Sequence, residues 1–252
     1  MIQLYHCTSA RSFRPLWMLE EMGLPYELKM LPFPPRAFDK SYFGINPLGT
    51  VPFLIDGAAR MSESTAICHW LGVKHGPTPL VVAPDEPAYA AYLNWLFMSD
   101  ATLTFPQTLI LRYRMFEPKE RRQPQVADDY EKWFLGRLRA VEIATGQGDY
   151  LCAGRFTAAD IAVGYAVMLA EIIGLGPQLP STVTQWWARV KARPGFAQAM
   201  AAQQVAQQLQ GMVAAGFLRL EGEQYKSTAR FEGGKLSVNG KEIPLGPSGS
   251  AQ

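Results

Sequence analysis

The spacing of hydrophobic positions changes along the chain, from short alternating runs near the beginning to helical spacing for most of the remainder. Ile2–His6 alternates apolar and polar residues, which predicts a β-strand. Apolar residues at helical spacing between Phe13 and Met22 predict a helix, and Gly23 is the residue type that commonly ends one. With a second strand expected at 24–30, this order predicts a βαβ unit.

A β-hairpin and another helix are predicted next. Phe53-Leu54-Ile55 and Ala59-Arg60-Met61 lie on either side of Asp56-Gly57, a dipeptide that favours a tight hairpin turn. Apolar positions then recur from Ser64 to about residue 74, which predicts a helix. The order βαβ followed by ββα is that of a thioredoxin-like α/β domain.

After a segment with four prolines between residues 76 and 87, the pattern is helical throughout. The first helix is expected from 86 to about 115, with a kink or break at Pro106. Further helices are expected at 124–144, 157–173, 183–192 and 194–215. The predicted organisation is therefore α/β plus all-α, with a thioredoxin-like domain at 1–78, a linker at 79–87, an all-helical domain at 88–218 and a C-terminal extension at 219–252.

The C-terminal extension has a different pattern. Asn239-Gly240 separates the short alternating runs Leu236-Ser237-Val238 and Glu242-Ile243, which predicts a β-hairpin. A hairpin alone is marginally stable in water, so we expect it to pack on its own subunit, to pack on a partner subunit, or to stay disordered. Residues 246–252 are expected to be disordered.

Composition narrows the classes of function. The 252 residues carry a net charge of +2, which is too small to indicate binding to nucleic acid or to an anionic membrane. No apolar run approaches the roughly 20 residues of a membrane-spanning helix. The three cysteines, Cys7, Cys68 and Cys152, are widely spaced and odd in number, which indicates reduced thiols rather than disulfides or a zinc site. We therefore expect a cytoplasmic protein without a metal.

The most informative stretch runs from Asn46 to Ser64. A cis peptide bond between Val51 and Pro52 would leave the N–H and C=O of Val51 unpaired, ready to hold an extended peptide as one more strand. Ser64 is placed to cap the following helix, whose first N–H groups favour a carboxylate, and Glu63 beside it suits an ammonium group. These features together predict a site for a small zwitterionic peptide.

Two motifs in this stretch, Asn46-Pro47-Leu48-Gly49-Thr50-Val51-Pro52 and Glu63-Ser64, resemble the glutathione-binding half of the glutathione S-transferase superfamily. Further likeness in Leu151–Ile161, Trp186-Trp187 and Arg193–Phe196 extends the resemblance over roughly residues 1–205. It implies glutathione as co-substrate, with Val51 and Pro52 beside its cysteinyl backbone and Glu63 and Ser64 at its γ-glutamyl group.

One position in the first motif departs from the family pattern. Thr50 stands where the family often has a long cationic or amide side chain. The glycyl carboxylate of glutathione would then be bound by Arg36, Lys40 or a nearby backbone group.

The reaction of the family needs a thiolate near neutral pH, whereas a free thiol has a pKa of roughly 8.5. A hydrogen-bond donor and a helix N-terminus both lower that pKa, and residues 7–14 lie where both are available. By resemblance, Ser9 falls at the activating Ser or Thr of theta-like and related bacterial classes, Ser12 at a second serine of beta-type members, and Arg11 at the beta-class cysteine.

Each of these residues has an alternative role. Ser9 is our predicted hydroxyl donor to the thiolate, or else an ordinary turn serine. Ser12 is the N-cap of the first helix or a second catalytic serine, and Arg11 either stabilises the thiolate or faces solvent. Cys7 would convert the chemistry to mixed-disulfide exchange if it were the reactive group, but its position favours a small residue that ends the strand.

The second substrate is expected between this loop and the long helix. The predicted lining residues are Leu103, Thr104, Gln107 and Arg112, and their largely apolar surroundings favour a hydrophobic electrophile. The favoured function is glutathione conjugation by a homodimeric enzyme, as in detoxification. The alternatives are a glutathione-dependent lyase, isomerase or thiol-disulfide oxidoreductase, and a non-catalytic glutathione-binding protein that acts through protein contacts.

Overall fold

The computed structural model describes residues 1–214 and five short stretches after them, at 218–221, 224–227, 229–232, 235–238 and 241–243. The chain forms two compact units, residues 1–200 and residues 201–252, and each is described by itself. Among the described residues, no helix has the length and apolar character needed to cross a membrane.

The first unit begins with a mixed four-stranded sheet in the order β2-β1-β3-β4. Strands β1 (Ile2–His6) and β2 (Tyr26–Met30) are parallel, whereas β3 (Phe53–Asp56) pairs antiparallel with both β1 and β4 (Ala59–Met61). Helices α1 (Phe13–Met22) and α3 (Ser64–Lys74) pack against each other, and the short α2 (Pro35–Phe38) lies between β2 and β3 in the chain. The predicted thioredoxin-like order βαβ–ββα is confirmed.

Local sequence signals account for the first helix. Pro15 lies in its first turn, where the missing N–H has no helical partner to lose. Gly23 follows its last residue with φ +61°, a left-handed conformation that costs glycine little, and its N–H bonds the carbonyls of Leu19 and Glu20. Its side chains from Phe13 to Leu19 are all buried.

The rest of the first unit is helical, as predicted. Its helices are α4 (Tyr89–Met98), α5 (Phe105–Leu111), α6 (Pro124–Gln147), α7 (Ala158–Ile172), α8 (Ser181–Lys191) and the start of α9 (Pro194–Ala214). Helix α7 is central, because its residues from Ala158 to Ala170 are all buried. The predicted capping box at its start is confirmed: Thr157 and Asp160 bond each other's backbone N–H groups.

The long helix expected around Pro106 is interrupted rather than simply kinked. Residues Ser99–Thr104 form a π-helical segment between α4 and α5, and Arg112–Phe116 form a second one after α5. Pro106 is the second residue of α5, two positions after the end of the first segment. Proline has no N–H and crowds the carbonyl four residues earlier, so regular α-helical bonding is lost in the turn before it.

The segment between the sheet and the helices is held by one arginine. Arg155 donates to the carbonyl oxygens of Pro79 and Val81 and forms a two-armed ion pair with Glu86. The N–H of Ala158 also bonds the carbonyl of Leu80 at 2.7 Å. The linker is therefore fixed along most of its length.

The second unit contains short antiparallel strands. Strand β5 (Leu218–Glu221) pairs with β6 (Gln224–Ser227), and β8 (Lys235–Val238) pairs with both β7 (Ala229–Glu232) and β9 (Lys241–Ile243). Strands β8 and β9 are those expected on either side of Asn239-Gly240, although that turn and residues 246–252 lie outside the described residues. The predicted domain limits at 88–218 and 219–252 stay a prediction.

Candidate functional site

A corner of the chain before β3 presents the backbone of one residue. The Val51–Pro52 peptide bond is cis. In the part of the chain that the structure describes, neither the N–H nor the C=O of Val51 has a hydrogen-bond partner. The neighbouring carbonyl of Thr50 accepts from the hydroxyl of Tyr42 and from the side-chain amide of Asn46, each at 2.8 Å. The corner therefore offers a donor and an acceptor in a fixed place.

The start of α3 follows the hairpin that this corner opens. The β3–β4 register pairs Leu54 with Met61, and Val51 and Ser64 each lie three residues beyond that pair along the chain. Ser64 is the first helical residue and Glu63 is the N-cap, one residue earlier than the sequence predicted. The Ser64 hydroxyl lies inside the helix rather than at its N-cap, and it accepts a hydrogen bond from Nη1 of Arg14 at 3.0 Å. Glu63 is exposed.

Arg14 is the residue that the sequence analysis missed. Its side chain is fully buried, and an arginine has five N–H donors to satisfy. All five are used, by Ser64 Oγ, Asp100 Oδ1, Thr104 Oγ1 and the carbonyls of Ser99 and Ala162, at 2.7 to 3.1 Å. Burial lowers its pKa, and the charge of Asp100 opposes that effect. The available signal was a charged residue within a helical turn that is otherwise apolar.

A second arginine shares the same carboxylate. Arg11 Nε lies 2.8 Å from Asp100 Oδ1, and its Nη2 donates to Thr108 Oγ1 at 3.0 Å. Burial alone would raise the pKa of Asp100, but the charges of Arg14 and Arg11 hold it below its usual range. Two guanidinium groups facing one carboxylate leave an excess positive charge beside the loop, and Arg11 is partly exposed there.

Ser9 and Ser12 both belong to the loop between β1 and α1 and differ in their exposure to solvent. Ser9 has φ +55° and is half-buried, and its carbonyl accepts from the hydroxyl of Tyr165 at 3.2 Å. Ser12 is fully buried, and its Oγ accepts from the N–H of Cys7 at 3.3 Å. Ser12 occupies the N-cap position without making a capping bond. These contacts favour a structural role for the Ser12 hydroxyl within the loop, and its catalytic alternative stays a prediction.

Cys7 is unsuited to thiol chemistry in this structure. Its side chain is fully buried, and its Sγ lies 3.6 Å from the carbonyl of Pro32. Burial raises the pKa of the Cys7 thiol to about 12. Because the thiolate is the nucleophile, this result favours the interpretation of Cys7 as a residue that ends the strand.

Three of the four residues predicted to line the second-substrate site face the core instead. Leu103, Thr104 and Gln107 are fully buried. Thr104 is bonded to Arg14, and Gln107 Nε2 donates to the carbonyls of Leu103 and Ala166. Arg112 is exposed and pairs with Glu117. Their burial argues against Leu103, Thr104 and Gln107 as lining residues of an exposed site.

The exposed side of residues 101–116, together with residues 8–11 and 31–34, forms a surface that we call the open groove. Arg11 joins residues 8–11 to residues 101–116 through Thr108. The N–H of Leu31 bonds the carbonyl of His6, which places residues 31–34 beside the loop. Phe33 and Phe116, both more than half exposed, meet across the groove with ring centroids 5.7 Å apart.

Two cations predicted near the glycyl end are accessible. Lys40 and Arg36 are both exposed. Lys40 Nζ donates to the carbonyl of Arg36 at 2.6 Å and lies 5.8 Å from the centre of the Phe43 ring. Neither side chain is committed to a carboxylate among the described residues, so either can approach one.

A separate apolar groove of about 290 Å³ lies between α3 and α4. It is lined by Met61, Thr65, Ala66, His69, Trp70, Val73, Leu93, Leu96 and Phe97. Val73 and Phe97 are among the most exposed large apolar residues of the described chain.

Two known protein families match separate stretches of the chain. The family described as glutathione S-transferase, N-terminal domain, matches residues 8–74. A family described as bacterial protein of unknown function (DUF945) matches residues 173–246.

Individual relatives extend the first match. Glutathione S-transferase 4 of Zea mays is 31% identical over 72% of this chain and 83% of that protein. Glutathione S-transferase 3 of Schizosaccharomyces pombe is 26% identical over 77% of this chain and 84% of that protein. The solved structure of the glutathione transferase URE2P5 from Phanerochaete chrysosporium matches with a TM-score of 0.73 over 83% of this chain and 97% of its own, at 22% identity.

Proposed function

The chain belongs to the glutathione S-transferase family, and on that premise we propose that it binds glutathione and activates its thiol for attack on a hydrophobic electrophile. The observation that carries the proposal is the unpartnered backbone of Val51, in a chain that also places Glu63 and Ser64 at the start of α3. A tripeptide pairs with Val51 as one more strand, in the manner of peptides that add to a sheet edge. Pro52 follows Val51 and fixes the corner.

The γ-glutamyl end of the tripeptide is oriented by its two opposite charges. Its ammonium binds the exposed carboxylate of Glu63, and its carboxylate binds the Ser64 hydroxyl and the first N–H groups of α3. Arg14 supports this arrangement, because a hydroxyl that accepts from a guanidinium has its own proton free to donate. At the other end, Lys40 or Arg36 binds the glycyl carboxylate. Thr50 takes part in the site through its backbone rather than through its side chain.

The thiol of glutathione lies at the loop between β1 and α1 in this proposal. Ser9 donates its hydroxyl to the sulfur, and the excess positive charge of Arg11 and Arg14 over Asp100 favours the thiolate. The thiolate then attacks an electrophilic carbon of the second substrate, and the leaving group departs with the electron pair of the broken bond. The buried, protonated Cys7 argues against disulfide exchange as the reaction.

The second substrate occupies the open groove. Its exposed lining includes Phe105, Met115 and Phe116 from the helical side and Phe33 from the other side. Such a surface suits an apolar molecule, with Arg112 at its edge. This lining replaces the buried residues Leu103, Thr104 and Gln107 of the sequence-based assignment.

We place the protein in the cytoplasm as a homodimer, with the apolar groove between α3 and α4 covered by a second copy. The three cysteines are free, in keeping with a reducing compartment. Phe97→Asp is expected to give a monomer by light scattering, because a charge would be buried in the interface. Phe38→Asp is a matched control, since both phenylalanines are 70% exposed but Phe38 lies outside the groove. A dimer that survives Phe97→Asp contradicts this interface.

Retention on glutathione resin with elution by free glutathione tests the binding site. Loss of a charged hydrogen-bond partner costs about 1.5–3 kcal/mol, so Glu63→Ala is expected to weaken binding by roughly tenfold or more. Glu120→Ala, at another exposed glutamate, is expected to bind normally. A panel of conjugation, lyase, isomerase and peroxidase substrates then identifies the reaction; normal retention with no turnover on any of them would favour a non-catalytic binding protein.

A further inference from the structure

A buried tyrosine of α7 contacts the loop between β1 and α1, where the thiol of glutathione lies in the proposed function. Tyr165 is 3% exposed, and its hydroxyl donates to the main-chain carbonyl of Ser9 at 3.2 Å. Ser9 has φ +55°, and among the described residues only Ser9 and Ala153 combine a side chain with a positive φ. A left-handed conformation is unfavourable for a residue with a Cβ atom, so it persists only where surrounding contacts select it.

The ring of the same tyrosine carries a second contact. The guanidinium carbon of Arg14 lies 4.5 Å from the centre of the Tyr165 ring. Arg14 also donates to the hydroxyl of Ser64. One buried pair of side chains is thereby connected to the loop that holds Ser9 and to the helix start that holds Ser64.

From these contacts we infer that Tyr165 is a positioning residue, which holds Ser9 in its left-handed conformation so that the Ser9 hydroxyl reaches the sulfur of bound glutathione. This inference rests on the proposed function, in which Ser9 binds the thiol of the central cysteinyl residue and Ser64 binds the γ-glutamyl carboxylate. The Tyr165 hydroxyl touches neither substrate and acts only through the Ser9 carbonyl. The ring, packed on Arg14, keeps the distance between the two ends of the site constant.

Tyr165→Phe separates these two roles, because it removes the hydroxyl and leaves the ring over Arg14. The ultraviolet absorbance of the glutathione thiolate, titrated with pH on the bound complex, is the main measurement. We expect the apparent thiol pKa to rise by about one unit, so that kcat at a fixed pH below the thiol pKa falls roughly tenfold. The KM for glutathione is expected to change by less than about twofold, since the contacts of Val51, Glu63 and Ser64 are untouched.

Tyr92→Phe is the matched control. Tyr92 is also fully buried in the helical part, but its hydroxyl lies 3.2 Å from Nδ1 of His69, away from the loop. Removing this hydroxyl is expected to leave the thiol pKa unchanged. A shift of equal size in both variants would show a general loss of packing and overturn the inference.

A double variant tests whether Tyr165 acts through Ser9. If it does, Tyr165→Phe shifts the thiol pKa in the wild type but has no further effect in a Ser9→Ala background. Additive shifts, or an unchanged thiol pKa in folded Tyr165→Phe, overturn the positioning role while the proposed function stands. A wild-type protein that binds glutathione without any thiolate absorbance, or does not bind it, overturns both; circular dichroism and the melting temperature verify that each variant is folded.

Discussion

Arg14 and Asp100 form an ion pair in which the arginine has no exposure to solvent and the carboxylate is largely covered. Arg14 Nη1 lies 2.9 Å from Asp100 Oδ1, and the side chains are 0% and 31% exposed. The partners come from α1 of the thioredoxin-like part and from the π-helical segment after α4. The pair is therefore both a joint between the two parts of the first unit and a support for Ser64.

Removing the carboxylate of this pair is expected to destabilise the protein. Asp100→Ala leaves the Arg14 charge buried without its partner, and such changes cost about 3–5 kcal/mol in free energy of unfolding. Urea unfolding at pH 7 measures it. Asp128→Ala is the control, because Asp128 accepts from Arg114 at 2.8 Å but is 56% exposed, and its loss should cost less than about 1 kcal/mol. Equal costs for the two variants would contradict the buried pair.

The same pair predicts a pH dependence. The pKa of Asp100 is lower in the folded protein than its ordinary value of about 3.9. Its contribution to stability is therefore fully present above about pH 4 and is lost as the pH falls through the lowered pKa. The difference in unfolding free energy between the wild type and Asp100→Asn should shrink in acid. If this difference in unfolding free energy grows below pH 4, the predicted direction of the pH dependence is wrong.

Ser9→Ala is expected to raise the pKa of the bound glutathione thiol by about one unit, which corresponds to about 1.4 kcal/mol of lost thiolate stabilisation. Alanine also has a Cβ atom, so the change removes the hydroxyl without easing the left-handed backbone. Thr8→Ala, one residue earlier and exposed, should leave the thiol pKa as it is. If Thr8→Ala produces the shift and Ser9→Ala does not, the activating hydroxyl belongs to Thr8.

The cysteines are expected to react slowly in the native state. Burial raises the pKa of Cys7 and Cys68 to about 12 and that of Cys152 to about 11. Iodoacetamide at pH 8 should label them far faster in urea than in buffer, as followed by mass spectrometry, because an unfolded thiol has a pKa of roughly 8.5. The Cys7→Ala variant should keep the proposed glutathione-dependent activity. Loss of activity in a folded variant would instead support mixed-disulfide exchange through Cys7.

Asp160 stabilises the start of α7 and is expected to be costly to remove. Its carboxylate accepts from the N–H groups of Leu151 and Thr157 and from Trp186 Nε1, at 3.0 to 3.1 Å. Each buried donor left without an acceptor costs about 1–3 kcal/mol, so Asp160→Ala should lower the unfolding free energy by roughly 3 kcal/mol or more. Asp129→Ala, at an exposed helical position, should have little effect. A small loss in Asp160→Ala would mean that water replaces the carboxylate.

Much of the fold could be predicted because its signals are local. Alternation in β1, the glycine that ends α1 and the capping box of α7 each lie within a few residues of the structure that they specify. The Val51–Pro52 corner is similar, since a proline at the start of a strand has few acceptable conformations.

The role of Arg14 had no such signal. Its partners Ser64 and Ala162 are 50 and 148 positions away in the chain, so its burial depends on tertiary contacts that the helical pattern does not contain. The second-substrate residues were predicted from their place on the long helix, not from one face of it. The sequence pattern indicates neither that Ser99–Thr104 is π-helical nor that Leu103 and Gln107 are fully buried.

The linker suggests how substrates reach the open groove. Arg155 is bonded to Pro79, Val81 and Glu86, so the peptide between the sheet and the helices has little freedom to act as a hinge. For the proposed reaction we therefore expect a site whose two sides are already joined before substrate arrives, with no cycle of opening and closing at the linker.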